Sequence, residues 1–576
     1  MKVNDSIVCI IIKYTRYFNI CEKNQIMATS IIWFRNCLRL HDNRPLIEAA
    51  KSANQLVCVF IFTPSVYNPK YMGINRFHFL LQSLQDLHKQ LKDKYNGKLV
   101  LIESKTTYLD VFSELAKNKV SKIFYEYDST PWAKRRDQSI REYLQKEHPE
   151  IEFSSFQGHT LTDLAKVTAK AGFKNPSNMN MVENIVIQQF GKSKKASGIN
   201  VPEPLDPPTS MKFNSNFESL IKKNKTFKVL DNVPKLNELT KIFGDAFNDV
   251  DIANVEKNTY FPGGETEALK RLKTKMLDHP NFVCKFKKPE TSSVPLANSS
   301  FKEPSTTGLS PYLAHGCLSV RKFWNAVDNC FENNKGAKID NLAMSLYGQV
   351  MFREMFYILN ESIGDQFAKN DRNDNLAITK FVDWDKPNPE LLKAWENGNT
   401  GYPYIDALMR QMKATGWMHH LGRHAVSCFL TRGQMYQNWT YGRDVFDRLL
   451  VDSDYALNTG NWLWLSGIAP FSMPFFRVYS PCPQEGKKSA LNFGPGGNDF
   501  IRHWIPELKK FPAKYLTTPW ECPGIAQQAC GVIIGKDYPK PIVPLKNNNL
   551  EKFKNSMAKN KSIKETQSPP AKKKKL

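Results

Sequence analysis

The stretch ATGWMHHLGRHAVSCFLTRG runs from Ala414 to Gly433 and carries three of the chain's eleven histidines. It reads as a helix, with Trp417, Leu421, Val426 and Phe429 as its apolar side. His420 and His424 lie four residues apart, one turn from each other on one face, with Arg423 beside them. Three readings compete for such a pair: zinc ligands, acid–base groups, or histidines satisfied within a core. A zinc-protease helix places Glu directly after its first His, whereas Leu421 follows His420 here. The rest of the chain has to decide between them.

The chain has 576 residues, enough for two to four domains. Its formal net charge is +24, a field that favours polyanionic partners such as nucleic acid. Eleven cysteines are scattered without a C-x-x-C pair, which suits a reducing compartment and argues against a thiolate metal site. No apolar run approaches 18 residues, so no membrane span is expected. The segment SIVCIII (6–12) is too short and wrongly flanked for a signal peptide, and Met27 precedes ATSIIWFR as an alternative start. Residues 1–27 are therefore read as an N-terminal extension. At the other end, residues 546–576 hold ten Lys and two Glu. This basic tail, 544–576, is expected to be disordered, and its Lys cluster at 572–575 resembles a nuclear-localisation signal.

Between these ends two periodicities follow one another. TSIIWF (29–34), QLVCVFIFT (55–63), KLVLIE (98–103) and SKIFYEY (121–127) are apolar strand runs separated by helical patterns, for instance at 75–95. Apolar strands alternating with helices predict a doubly wound parallel sheet over 28–157, with ligands at the carboxyl ends of its strands. Neither G-x-G-x-x-G nor G-x-x-x-x-G-K-[ST] occurs there, so no conventional nucleotide loop is supported. Residues 158–238, with Pro202, Pro204, Pro207 and Pro208, read as a connector. From 239 to 543 the spacing turns helical, as in SLYGQVMFREMFYIL (345–359), in 404–430 and in GRDVFDRLLVD (442–452). The expected class is thus α/β plus all-α.

STTGLSPYLAHGCLSVRKFW (305–324), YGQVMFRE (347–354), the 400–433 stretch and LLVDSDYALNTGNWLWLS (449–466) together resemble the photolyase/cryptochrome family. WFRNCLRLHDN (33–43) is similar to that family's opening strand and turn, and WMHHLGRH with FFRVYSP (475–481) points to the branch of (6-4) photolyases and animal cryptochromes. The resemblance spans about Ala28 to Val543.

It implies FAD in the helical domain, which becomes the FAD-binding catalytic domain. Thr306 and Ser310 would lie at the flavin phosphates, a cradle that a T/S-rich helix start suits. Gln349 and Arg353 would come from the next cofactor helix, and Lys288 would stand near the cofactor. Asp452 would pair with Arg423 because a buried acid needs such a partner, and Asp454 would face the flavin. Asn458 matches the residue beside flavin N5. The resemblance further implies an electron relay through Trp462, Trp439 and Trp384, with Tyr436 in a fourth place. It makes His420 the proton donor to a DNA lesion and His424 its support, near neutral pH, where imidazole titrates. Trp464, Tyr479 and Gln349 would meet the lesion, together with Phe352 and Phe356, which stand where the family typically has Trp and Tyr.

The implied function is light-driven repair of (6-4) photoproducts in UV-damaged DNA. A cryptochrome with clock proteins as partners is the alternative, and a cyclobutane-dimer photolyase the third reading. A deazaflavin or folate antenna would occupy the N-terminal domain, the chain would act as a monomer, and no metal is implied.

Overall fold

The computed structural model describes residues 29–238, 247, 250–295, 301–369, 382–469, 471–472 and 476–567. The N-terminal extension 1–27, with its candidate start Met27, and the Lys cluster 572–575 lie outside the described residues.

Strands β1 (Thr29–Phe34), β2 (Gln55–Phe62), β3 (Leu99–Ser104), β4 (Val120–Glu126) and β5 (Glu152–Phe156) form the expected parallel sheet. The order is β5-β4-β1-β2-β3-β6. The last strand corrects the sequence reading. β6 (Phe227–Leu230) comes from the supposed connector and pairs antiparallel with β3, so the sheet is mixed at one edge. Lys228 alternates with buried Phe227 and Val229 there, the pattern of an edge strand with one wet face.

Side-chain alternation in β1 divides the core. Ile31 and Trp33 pack on one face with Val111, Phe112, Ile140 and Leu144. These belong to helices α3 (Tyr108–Ala116) and α4 (Pro131–Glu147), which follow α1 (Arg44–Ser52) and α2 (Ile74–Tyr95). Ile32 and Phe34 point the other way, into a core that continues without a break into the helical domain.

Buried acids lock the two parts together. Glu265 accepts from the amides of Leu40 and His41 at 2.7 and 3.0 Å. Glu354, fully buried, accepts from the amides of Leu161 and Thr162 at 3.1 and 3.0 Å. Residues 158–238 are accordingly more than a connector. They carry α5 (Met179–Phe190), which packs against the helix Leu346–Ile363 of the helical domain.

The helical domain is built on α6 (Val320–Glu332), α7 (Leu346–Ile363), α8 (Pro403–Thr415), α9 (His420–Cys428), α10 (Trp439–Leu449) and α11 (Tyr455–Ser466). The helix expected over 404–430 is broken. Gly416 ends α8 at φ 70°, and a Cβ there would meet Val451 Cγ1 at 2.6 Å and Asn75 Cβ at 2.8 Å. Only glycine supplies that left-handed turn in so little space.

The basic tail also departs from expectation. Its residues 549–567 form α12 (Asn549–Gln567). Phe553 is fully buried, and the Asn549 amide donates to the carbonyls of Gly433 and Gln434 at 3.0 and 2.8 Å. One aromatic anchor and one capping side chain outweigh a composition that otherwise favours disorder.

Candidate active site

The break at Gly416 sets up the site. His419 becomes the N-cap of α9, and its Nδ1 accepts from the Leu421 amide at 3.2 Å. That places His419 in a structural role and leaves His420 and His424 on the cavity-facing side of the first turn and a half.

Their rings stand 5.8 Å apart at 73°. His424 Nδ1 is 3.3 Å from the Tyr479 hydroxyl, and its ring is 5.1 Å from Trp464. His420 Nε2 lies 3.5 Å from Thr291 Oγ1. Lys288 reaches over the same wall, its Nζ 5.4 Å from the Phe352 ring and 5.6 Å from that of Trp464. Among the described residues no carboxylate lies within ion-pair range of that ammonium. Burial pushes the Lys288 amine down to about 8. Burial first, then the charges of His419 and Lys288 and of His424, hold His420 well below the ordinary imidazole range. His424 is held down by burial first, with Lys288 next. Both shifts favour the neutral imidazole over the imidazolium at these two positions.

The cavity behind this wall is lined by Lys288, Ser310, Arg353, His420, Arg423, His424, Asp452, Asp454, Asn458 and Trp462. Lys288 and Trp462, 174 positions apart in the chain, line it together. Arg423 Nη2 donates to both oxygens of Asp452, at 3.0 and 2.8 Å, while Ser310 donates to Asp452 Oδ2 at 2.7 Å. The Asn458 amide donates to the Arg443 carbonyl at 2.9 Å.

Three expected residues stand elsewhere. Thr306 lines a separate groove with Lys275, His279 and Glu303. The Gln349 amide turns back onto its own helix, 3.4 Å from the Ser345 carbonyl. Phe356, expected at the lesion face, is buried 5.7 Å from the Phe471 ring and against Gly460, where a Cβ would come within 2.3 Å of it.

The sequence reading missed two residues. Tyr357 donates to Asp454 Oδ2, and His159 Nε2 stands 3.7 Å from the same oxygen. Burial alone would raise the Asp454 carboxyl. The hydrogen bond and charge of His159, the Tyr357 hydroxyl and the Arg353 charge outweigh it and hold the carboxyl at about 2. Asp454 also caps α11 by accepting from the Leu457 amide at 3.0 Å. Nothing near His159 in sequence signals this role, since it sits in the stretch read as a connector.

Of the proposed relay, Trp462 lines the cavity and packs on Gly442, where a Cβ would be 2.0 Å from its ring. Trp439 lies three residues before Gly442 on the same helix, fully buried. Trp384 is 5.2 Å from Tyr436 at the outer end. The indole N–H groups of Trp439 and Trp384 are buried without a hydrogen-bond partner.

A second cavity, of about 330 Å³, opens at the carboxyl ends of β1 and β4. Its wall includes Trp33, Tyr108, Trp132 and Arg136, whose guanidinium carbon stands 4.7, 5.0 and 4.9 Å from the Trp33, Tyr108 and Trp132 ring centres. Ala314, Ser453 and Asp454 line both cavities, which therefore share a wall. Among the described residues no cluster of His, Cys, Asp and Glu could hold a metal ion, and no helix is long and apolar enough to cross a membrane.

Residues 30–198 match the family model described as DNA photolyase, and residues 345–558 match the FAD binding domain of DNA photolyase. Cryptochrome-1 of Erithacus rubecula is 37% identical over 521 residues, 90% of this chain and 76% of the relative. The (6-4)DNA photolyase of Arabidopsis thaliana is 38% identical over 530 residues, 90% of this chain and 86% of the relative. A bacterial class III photolyase from Agrobacterium tumefaciens has a TM-score of 0.67 at 26% identity, covering 93% of this chain and 98% of that one. The cavity's donors fit FAD. The guanidiniums of Arg353 and Arg423 and the Ser310 hydroxyl suit an anionic diphosphate, and the Asn458 amide suits a flavin edge. On the sequence match, the shared fold and this donor set, the chain belongs to the photolyase/cryptochrome family and binds FAD.

Proposed function

We propose that the chain repairs the (6-4) pyrimidine–pyrimidone photoproduct in DNA under light. The observation that carries this reading is the wall formed by His420, His424, Tyr479, Trp464 and Lys288, where two imidazoles pushed toward their neutral form stand beside an ammonium that meets no carboxylate among the described residues. The Arabidopsis and rice relatives named (6-4) photolyases support it. Bound in the cavity, reduced FAD supplies the electron that light drives into the lesion.

The chain's own residues do the rest. The net charge of +24 draws phosphates, and exposed Phe476, Arg477 and Val478 project just before Tyr479, offering apolar and cationic contact to an extruded base step. Lys288 neutralises charge that accumulates on the lesion. An anion in the site opposes the cations that hold His420 neutral, so DNA binding itself raises the proton affinity of that ring. His420 then donates the proton that lets the hydroxyl return to its original base and recovers it afterwards. His424, fixed by Tyr479, orients its neighbour. Phe352 stacks on the lesion without adding a hydrogen bond. Asn458 favours an anionic reduced flavin because an amide gives up no proton readily.

A deazaflavin or folate antenna fits the second cavity, whose aromatic lining shares a wall with the FAD cavity. The Lys cluster 572–575 directs the chain to the nucleus; a reporter fused to residues 544–576 that stays cytoplasmic would refute this.

The test of repair is a (6-4)-containing oligonucleotide incubated with the FAD-loaded, reduced chain under blue light and in the dark. Restored thymines in the light alone are expected. No restoration would favour the second reading, a cryptochrome, which the 37% likeness to Cryptochrome-1 supports.

A further inference from the structure

The tail helix α12 lies across the outer end of the tryptophan relay, and its contacts there are specific. The Phe553 ring is 5.9 Å from Trp384. Ser556 Oγ accepts from the Asp383 amide at 2.8 Å. Lys552 makes two contacts at once: its Nζ stands 4.2 Å from the centre of the Tyr436 ring and 2.6 Å from Asp385 Oδ1. Tyr436 in turn is 5.2 Å from Trp384. Its buried hydroxyl has no hydrogen-bond partner among the described residues.

Two physical consequences follow for Tyr436. A cation over the ring face stabilises the electron-rich neutral ring and opposes positive charge on it. A phenol also loses an electron readily only when its proton can leave. The hydroxyl bonds nothing among the described residues, and nearby Asp385 is held by Lys552. Burial, with Asp385 and Asp383 adding to it, pushes the phenol's proton affinity up further. Trp384 has neither restriction, because an indole can carry the charge with its N–H intact.

We propose that Lys552, carried on the tail helix, excludes Tyr436 from electron transfer, so that the relay ends at Trp384 while α12 is docked and lengthens by one residue when Lys552 is withdrawn. This rests on the relay reading of Trp462, Trp439 and Trp384. In the docked state Trp462 gives one electron to light-excited oxidised flavin, and the vacancy moves through Trp439 to Trp384. An exogenous thiol then returns one electron to Trp384. With Lys552 withdrawn, Trp384 recovers its electron from Tyr436 instead, and the phenol proton passes to the freed Asp385 carboxylate. The product is a neutral tyrosyl radical and a protonated acid.

The experiment uses the full chain with oxidised FAD, without DNA or thiol, frozen under illumination and examined by electron paramagnetic resonance. Parallel samples carry deuterated Tyr or deuterated Trp to assign the radical. The wild type should give a signal sensitive to Trp deuteration alone. Lys552→Gln should convert most of it to a signal sensitive to Tyr deuteration, and Lys552→Arg, which keeps the cation, should restore the tryptophan signal. Lys552 is a positioning residue with a partly exposed side chain, so the fold should survive; hydrogen exchange across 549–559 checks that α12 remains docked. A tyrosyl signal in the wild type, or a tryptophan signal that persists in Lys552→Gln, would overturn the proposal while leaving the relay intact. Trp384→Phe separates the two readings: a wild-type yield of trapped radical in that variant would overturn the relay and this proposal with it.

Discussion

The two cavities share Ala314, Ser453 and Asp454 yet treat charge in opposite ways. In the second cavity each cation is already answered. Arg35 donates to both oxygens of Asp137 at 2.8 Å, Arg136 reaches the same carboxylate at 2.8 Å, and both guanidiniums stand 4.7 Å from the Trp33 ring centre. In the FAD cavity Lys288 meets, among the described residues, rings and no carboxylate, and the imidazoles beside it are pushed toward their neutral form. A buried cation without a counter-ion is unfavourable, so the fold tolerates it where a ligand completes it. The first cavity awaits an anion, whereas the second offers planar faces to a ligand of little charge.

The largest way to break that contrast is to remove the group the unmet charge acts on. His420→Ala should lower light-driven repair by roughly 10²- to 10⁴-fold, the usual contribution of a positioned acid. FAD content and affinity for damaged DNA should hold. The check is thymine recovery per absorbed photon beside the flavin absorbance of the purified variant; normal repair would return His420 to the core-histidine reading.

Next in size is the shared wall. The depressed Asp454 carboxyl stabilises the fold above the unfolded-state value near 4. That contribution is lost as pH falls through about 2. It amounts to about 2 kcal/mol for a side chain that is 14% exposed. Asp454→Asn keeps the cap on α11 and loses the charge. Melting curves from pH 5 downward should therefore show wild type ahead at pH 5 and the two converging toward pH 2. A gap that stays constant would assign the effect to packing.

A smaller effect tests the unmet charge directly. Lys288 lowers the proton affinity of both histidines. If His420 acts in its protonated form, repair declines as pH rises through its pKa in the DNA complex. Removing the cation raises that pKa, so Lys288→Gln should move the alkaline limb of the repair profile to higher pH. A limb that stays in place would detach Lys288 from the proton step.

The sequence made much of this legible, and for a physical reason. The α/β half is set by apolar strand runs alternating with helical patterns, because strands of a parallel sheet are buried on both faces. The pairing of Arg423 with Asp452 was legible through the family resemblance, and compensation of a buried charge is its physical reason. What stayed hidden depends on three-dimensional proximity. Gly416 breaks a helix because Val451 and Asn75 come close to it, and no local pattern says so. β6 and α5 sit in a proline-rich stretch whose composition resembles a linker. The tail folds through contacts of Asn549, Lys552, Phe553 and Ser556 with residues far from them in the chain. His159 reaches Asp454 across nearly three hundred residues. Thr306, Gln349 and Phe356 show the converse: a motif placed them near the site, but the direction of each side chain was decided by its neighbours.

The smallest expected effect sharpens the other half of the contrast. If the second cavity binds a planar chromophore through ring faces, removing one face should weaken binding modestly without abolishing it. Trp132, 37% exposed, is more accessible than Trp33 and Tyr108, and it stacks on Arg136 at 4.9 Å. Stacking of this kind contributes about 0.5–1.5 kcal/mol. Trp132→Ala should therefore weaken deazaflavin or folate binding by roughly 2- to 10-fold, read by titrating the quenching of the chromophore's fluorescence. Salt adds a second criterion. Because Arg35 and Arg136 already share Asp137, binding there should change little with ionic strength, whereas damaged-DNA binding near Lys288 should fall steeply. A steep salt dependence for the chromophore would mean that the second cavity also holds unmet charge, and the distinction between the two cavities would fail.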